Sequence, residues 1–453
     1  MPESCFSFTV CGTAWMMAFL SVAATANWFA GASSFSFSSS AAIAFVAGGN
    51  SRNHAVSLQR LQSTSVPSTD SAADSVVLDQ KGTTIVGPVL RPSTNSSETG
   101  SSSTAFDIAC VANPVVLQPT PSNEKWQMYY YGNPGSWANG IKGFLPTGYI
   151  GLAESDDGVH WEKVTGKENY GSMLAPTGQE GDFDGLQIGV GDVIRVGEEL
   201  HMYYFGGSFE AVVLGEGGPP PAKGLRMRIG RAKSTDNGRS WSRTGQALDY
   251  DSSEGLFASW PRIILPENDD DTKPWRMHYH AFNGVRWAAF EATSTDKGDT
   301  WTRDGMALGP GPPDAWDGSG VGVRHAVRTK AGELVMVYEA VEGGSQVSAG
   351  RHRLGVARWD DKDSVWVKDT SITGVPGGPI LDGGVEPLES WTSQVIGTPY
   401  LVVADDGSIK LYYCSRTDSS TSMHIGLVES ASGKFDPSSW KAVSPRVDRA
   451  AEN

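Results

Sequence analysis

Three stretches of this chain end in nearly the same words: "SDDGVHW" at 155–161, "STDNGRSW" at 234–241 and "STDKGDTW" at 294–301. Each follows an apolar, strand-like run, as in "YIGLAE", "RIGRAK" and "AAFEAT". Two looser copies follow, "RLGVARWDDKDSVW" and "HIGLVESASGKFDPSSW", making five. Ahead of each copy lies a run closing in an aromatic cluster: "WQMYYYG", "LHMYYFG", "WRMHYHA", "LVMVYEA" and "IKLYYCS". Ahead of that lies a further strand: "VANPVVL", "GVGDVIRV", "SWPRIIL", "GVRHAVRT" and "GTPYLVV". A short fourth segment follows each Trp, as in "WTRDGMALGPG". The period is roughly 60–80 residues, and one four-stranded unit of that size cannot bury both faces alone. Five units set radially can. The expected fold is all-β, a five-bladed β-propeller of four-stranded blades over 105–445. Abundant Gly (54) and Trp (15) suit short strands joined by tight turns.

The octet explains itself as a turn. Its Ser and Asp side chains can bond the amides of their own loop, and its Trp can pack inward. It is therefore read as a hairpin staple between outer strands. The segment "TTIVGPVLRPS" near 83–92 resembles "SITGVPGGPILDGG", which links two units. It is expected to add an outer strand that closes the ring onto the last blade. The tail is 446–453.

The front end reads as targeting sequence. "TAWMMAFLSVAATA" is an apolar run ending in small residues, within a stretch (1–50) that contains no Lys or Arg. The Ser- and Ala-rich, acid-poor residues that follow suit a transit segment, and 51–104 then runs through a Ser/Thr-rich linker. Signal-like then transit-like resembles the two-part leader of algal plastids enclosed by endomembranes; a secretory signal followed by a spacer is the alternative. No stable membrane span is expected in the mature chain. A net charge of −15 argues against nucleic acid, which needs clustered Lys and Arg. Cys110 and Cys414 could form one bridge, and no metal-type cysteine cluster exists.

Function is sought where the repeats diverge. Aligning the innermost strands yields three rings. The first holds Asp107, Asp184, Glu254, Asp317 and Thr392, acidic in four of five units, as a repeated turn or cap would be. The second holds Asn113, Val190, Trp260, Val323 and Thr398. The third, two residues on, holds Val115, Asp192, Arg262, His325 and Tyr400, all different and mostly polar. Innermost strands line a propeller's channel, and alternation turns the second and third rings to one side.

Here the chain resembles the five-bladed glycoside hydrolases, the arabinanases, xylosidases, invertases and levansucrases. The shared pattern is an inner strand opening on Asp-Pro or Pro-Asp, then an aromatic strand, then S-x-D-G-x-x-W. The resemblance implies three acids: a base before Pro in blade one, a tuning Asp in blade two, and an acid two before Pro in blade three. Two carboxylates then flank the bond, one protonating the leaving group and one activating water. Asp192 in "GDVI" matches the tuning residue. The base position holds Asn113 and the acid position Ser259, neither of which can serve. Nearby acids offer a relocated pair: Asp107, Asp184, Asp192 and Glu254, with Glu339 late in the second strand of blade four. The octets also resemble those of sialidases, though no Phe-Arg-Ile-Pro motif is present.

The expected ligand is a carbohydrate or a small acidic molecule, bound or turned over at the channel. Asn113, Trp260, Arg262, Asp317, His325, Glu339 and Tyr400 are the candidate contacts. Arg262 either neutralises Asp192 or meets a ligand carboxylate or phosphate. Trp260 and Tyr400 are either sugar platforms or core. His278 and His280 share a strand face, but no third metal ligand lies near. No cofactor is expected; a channel Ca²⁺ on first-ring carboxylates is the one ion the pattern allows. The alternative to an enzyme is a non-catalytic propeller that binds a ligand or a protein partner. The Gly/Pro-rich insertion at 206–228 is expected to overhang the mouth.

Overall fold

The computed structural model describes residues 87–94, 105–136, 145–213, 221–267, 270, 272–343, 351–385, 388, 391–392, 395–416 and 422–445. The leader, most of the linker and the tail lie outside the described residues. The described chain is built of strands, joined by turns and two short 3-10 segments. No helix among the described residues is long and apolar enough to cross a membrane.

The strands fall into five consecutive antiparallel meanders. The first is β1 (Cys110–Leu117), β2 (Trp126–Asn133), β3 (Tyr149–Ser155) and β4 (Glu162–Val164). The second is β5 (Gln187–Val196), β6 (Glu199–Gly207), β7 (Met227–Ser234) and β8 (Ser242–Leu248). The third is β9 (Ser259–Ile264), β10 (Trp275–Phe282), β11 (Trp287–Ser294) and β12 (Thr302–Leu308). The fourth is β13 (Gly320–Arg328), β14 (Leu334–Val341), β15 (His352–Asp360) and β16 (Val365–Lys368), with β17 (Leu381–Asp382) beside β15. The fifth is β18 (Ile396–Val403), β19 (Ile409–Ser415), β20 (His424–Ser430) and β21 (Lys441–Val443). A single parallel bridge, Trp287 to Gly320, joins the third meander to the fourth. The first strands touch in a closed cycle, β1 to β5 to β9 to β13 to β18 and back to β1. That is a ring of blades around a channel, a β-propeller.

Closure has a repeated device. At the outer edge of each third strand a buried leucine pairs with an equivalent residue: Leu174 with Ile150, Leu248 with Ile229, Leu308 with Ala289, and Leu381 with Leu354. The fifth, Leu90 with Ile425, comes from ahead of blade one. Ile425 O accepts from the Val89 and Leu90 amides at 2.8 and 3.2 Å, and the Ile425 amide donates to Leu90 O at 3.0 Å. The chain therefore closes with a two-residue pairing against β20, in line with β21.

The octets link blades as well as turning the chain. Ser155 Oγ accepts from the amides of Asp157 and Gly158 at 3.2 and 2.9 Å, while Asp157 Oδ1 accepts from those of Val159 and His160. Ser234 with Asp236, and Ser294 with Asp296, build similar turns. Four of the five Trp residues then meet the second strand of the preceding blade edge-on: Trp161 on Tyr412, Trp241 on Tyr129, Trp301 on Tyr203 and Trp366 on His278. Tyr412 Oη donates to Gly158 O at 2.7 Å. A Cβ at Gly298 would stand 2.0 Å from Tyr203 Oη, at a φ of 84°, so both space and backbone require glycine there.

Candidate functional site

The first-ring residues sit where each chain crossover enters its inner strand. Four bind the same two partners. Asp107 accepts from Tyr130 Oη at 2.9 Å and Lys163 Nζ at 2.6 Å. Asp184 accepts from Tyr204 Oη and Arg243 Nε, both at 2.8 Å. Glu254 accepts from Tyr279 Oη at 2.8 Å and Arg303 Nε at 3.3 Å. Asp317 accepts from Tyr338 Oη at 3.5 Å and from Lys368 Nζ. In blade five Thr392 replaces the acid, and Ala442 stands where the other blades carry the cation. Acid and cation are thus lost together. Asp107, Asp184 and Glu254 each belong to a closed set within one blade, and none is hydrogen-bonded to another.

The channel side chains are organised by bulges. Every inner strand slips register at the same level, between Ala112 and Val115, Val190 and Asp192, Ser259 and Arg262, Val321 and Arg324, and Gly397 and Tyr400. Asn113, Trp260 and Thr398 take φ values of 52°, 48° and 48°, each directly before a proline, while Gly191 and Gly322 lie in the other two bulges. A bulge interrupts the ladder, and buried backbone groups left there need other partners. Side chains from neighbouring blades supply them. Asn113 Nδ2 donates to Val190 O, and Arg262 donates to Gly191 O and Pro114 O. Arg324 donates to Trp260 O and Gly322 O. Asp192 Oδ2 accepts from the Ile263 amide at 2.8 Å, His325 Nδ1 from that of Leu401 at 3.0 Å, and Glu339 Oε2 from that of Thr398 at 2.9 Å.

The third ring converges around Tyr400. Its ring lies 3.9 Å from His325 and 4.9 Å from the Arg262 guanidinium, and its hydroxyl points to Asp192 Oδ1 at 3.4 Å. Arg262 Nη2 also donates to Asn113 Oδ1 at 3.1 Å, so both ends of the Asn113 amide are engaged. Arg262 and Asp192 interact through space without a direct ion pair among the described residues. Burial pushes Asp192 up to about 6, against the opposing pull of Arg262. Burial likewise holds the imidazoles of His325 and His280 well below their ordinary value, so both are neutral.

Trp260 stacks on Phe205 and His280, at 4.1 and 5.0 Å, and is 3% exposed. It is therefore core, with no face open for a sugar. Glu339 is bound by His352 Nδ1 at 2.7 Å on its other oxygen. His278 faces Glu291 and Trp366 while His280 faces Arg324, so the two histidines do not share a site. No metal-type group of three or more His, Cys, Asp or Glu occurs among the described residues. Cys414 is a free buried thiol, so the bridge to Cys110 is not formed. Its neighbourhood belongs to an apolar cluster at the channel mouth that includes Val212, Ala222 and Leu225 from the blade-two insertion, packed with Phe257, Trp260 and Trp287. Val212 and Ala222 pair across that insertion.

Two residues of the mouth, Arg324 and Trp287, escaped the sequence reading, as did the partnership of Ser259 with His280. The fourth-strand cations escaped it too, yet their signal was present. Each lies two residues after the octet Trp: Lys163, Arg243, Arg303 and Lys368.

The fold is that of the five-bladed β-propeller glycoside hydrolases. A β-1,2-mannobiose phosphorylase from Listeria innocua superposes with a TM-score of 0.51 and 15% identity, covering 75% of this chain and 94% of that one. A glycosyl hydrolase from Bacteroides ovatus gives 0.50 and 18%, covering 80% and 94%. Another glycoside hydrolase gives 0.50 and 16%, covering 77% and 92%. At such identities the likeness is one of fold. No family profile and no curated protein sequence matches the chain.

Proposed function

We propose that this protein is a carbohydrate-binding propeller that does not cleave glycosidic bonds by the two-carboxylate route. The observation carrying this reading is the state of Asn113. It stands at the position of the base, its carbonyl holds Arg262 and its amide holds Val190 O. A hydrolase needs one carboxylate free to activate water and another able to protonate the leaving group. Asp192 and Glu339, the carboxylates bound to the inner-strand backbone, each have both oxygens engaged. Carbohydrate is favoured as ligand because the fold is shared with proteins whose names state action on glycosides.

Isothermal titration with neutral and acidic oligosaccharides, alongside turnover assays on aryl glycosides, tests this. Binding without turnover is expected. Turnover that disappears in Asp192→Asn would overturn the proposal and restore an enzyme working from this channel.

A further inference from the structure

The mouth of the channel holds a group of buried polar atoms with no partner. Ser259 Oγ, His280 Nε2 and Trp287 Nε1 are each shielded from solvent and unbonded. They are neighbours. Ser259 and His280 face one another across β9 and β10, and the His280 ring meets Trp287 edge-on at 5.3 Å. Leaving such groups unmade costs about 1–3 kcal/mol each.

Their chemistry is one-sided. Arg324 Nη1 lies 3.2 Å from His280 Nδ1, and a guanidinium can only donate. Nδ1 faces both the Arg324 donor and the Gly322 carbonyl; with Nδ1 accepting from Arg324, the proton of the neutral ring sits on Nε2. His280 cannot then take a proton from Ser259, which removes a Ser–His nucleophile. What remains is an imidazole N–H, an indole N–H and a hydroxyl, all able to donate. Behind them Arg324 is fully buried, and among the described residues it makes no ion pair. Burial disfavours its charge and the like charge of Arg262 repels it, with no carboxylate among the described residues paired to it. A buried cation without a counter-ion is unfavourable by several kcal/mol.

We infer that this side of the mouth recognises the carboxylate of an acidic saccharide, a hexuronate, through His280 Nε2–H, Trp287 Nε1–H and the Ser259 hydroxyl. The inference rests on the carbohydrate-binding reading and deepens it. One carboxylate supplies two acceptor oxygens and one negative charge, matching the donors and the uncompensated Arg324.

The test titrates the full chain with oligomers of galacturonate, glucuronate and mannuronate, their neutral counterparts, and a hexose 6-phosphate. The Trp287 indole N–H resonance is followed by NMR. A hexuronate oligomer is expected to bind about tenfold tighter than its neutral counterpart, the equivalent of one charge-assisted hydrogen bond, and to shift that resonance downfield. Trp287→Phe and Ser259→Ala are expected to erase the preference for the hexuronate oligomer over its neutral counterpart. Equal binding of acidic and neutral sugars, a preference that survives both variants, or tighter binding of the phosphate sinks this inference alone. If no saccharide binds, the inference and the carbohydrate reading fall together.

Discussion

Phe290 stacks on Tyr279, ring centroids 6.0 Å apart, in the place that Ser253 leaves unfilled. In the other four blades the residue before the first-ring position is aromatic and covers the equivalent tyrosine: Phe106 on Tyr130, Phe183 on Tyr204, Trp316 on Tyr338 and Trp391 on Tyr413. Those blades carry glycine on the third strand, where a Cβ would stand 2.4–2.8 Å from the tyrosine ring. Blade three moves the aromatic from one position to the other. Phe290→Gly is expected to cost about 3–5 kcal/mol, as a large core truncation does. Ser253→Phe alone is expected to destabilise by about 1–3 kcal/mol through overpacking. The double variant should be more stable than Phe290→Gly alone. Urea unfolding of all four proteins reads the coupling, and strict additivity would refute the exchange.

Asp107 and Lys163 form a pair in which the carboxylate is 1% exposed and the ammonium 25%. Lys163→Ala leaves a buried carboxylate facing only Tyr130, and a loss of about 3–5 kcal/mol is expected. Adding Asp107→Thr reproduces blade five, where Thr392 and Ala442 occupy these positions, and should recover a large part of that loss. Thermal denaturation of the single and double variants checks it. A double variant no better than the single would mean the pair is not a unit.

Leu90 is 4% exposed and completes a blade that lies more than 300 residues away along the chain. Leu90→Ala is expected to cost about 2–4 kcal/mol. Because Leu90 holds the seam between first and last blades, the damage should localise there. Hydrogen exchange should rise at Ile425 and Val111 before it rises at Ile229. Uniform acceleration across all blades would show that Leu90 is ordinary core.

Asp192 has a folded-state value of about 6 against an ordinary value of about 3.9. A raised folded pKa contributes stability that is complete below the unfolded value and is lost as pH climbs through the folded one. The contribution therefore declines between about pH 4 and 6. About two units at 1.36 kcal/mol each makes this about 3 kcal/mol. The unfolding free energy of the native chain relative to Asp192→Asn should shrink over that window and stay level above it. A difference that is flat with pH would remove the burial argument for Asp192.

Much of the architecture was readable because it depends on local rules. The octet builds its turn from side chains within five residues of one another, and strand alternation is visible in any window of the repeat. The alignment of Asp107, Asp184, Glu254 and Asp317 identified equivalent positions, and the structure gives them equivalent partners. The spacing of Lys163, Arg243, Arg303 and Lys368 from their tryptophans was equally local and was overlooked. The convergence of Asp192, Arg262, His325 and Tyr400 also followed from alignment alone.

What each of those channel residues does was decided elsewhere. Arg262 reads in sequence as a counter-ion to Asp192 or a contact to a ligand anion, yet it meets Asn113 across 149 positions and Tyr400 across the channel. Trp260 reads in sequence as either a sugar platform or core, and Phe205 and His280 closing over it make it core. The physical reason is the bulge. It releases buried backbone amides and carbonyls at one level of every inner strand, and they demand partners from whichever blade stands beside them. Periodicity and turn chemistry therefore determined the blades and their number of strands. Only the closed ring could decide which polar side chains are consumed by backbone and which, as at Ser259, His280 and Trp287, are left with hydrogen bonds to give.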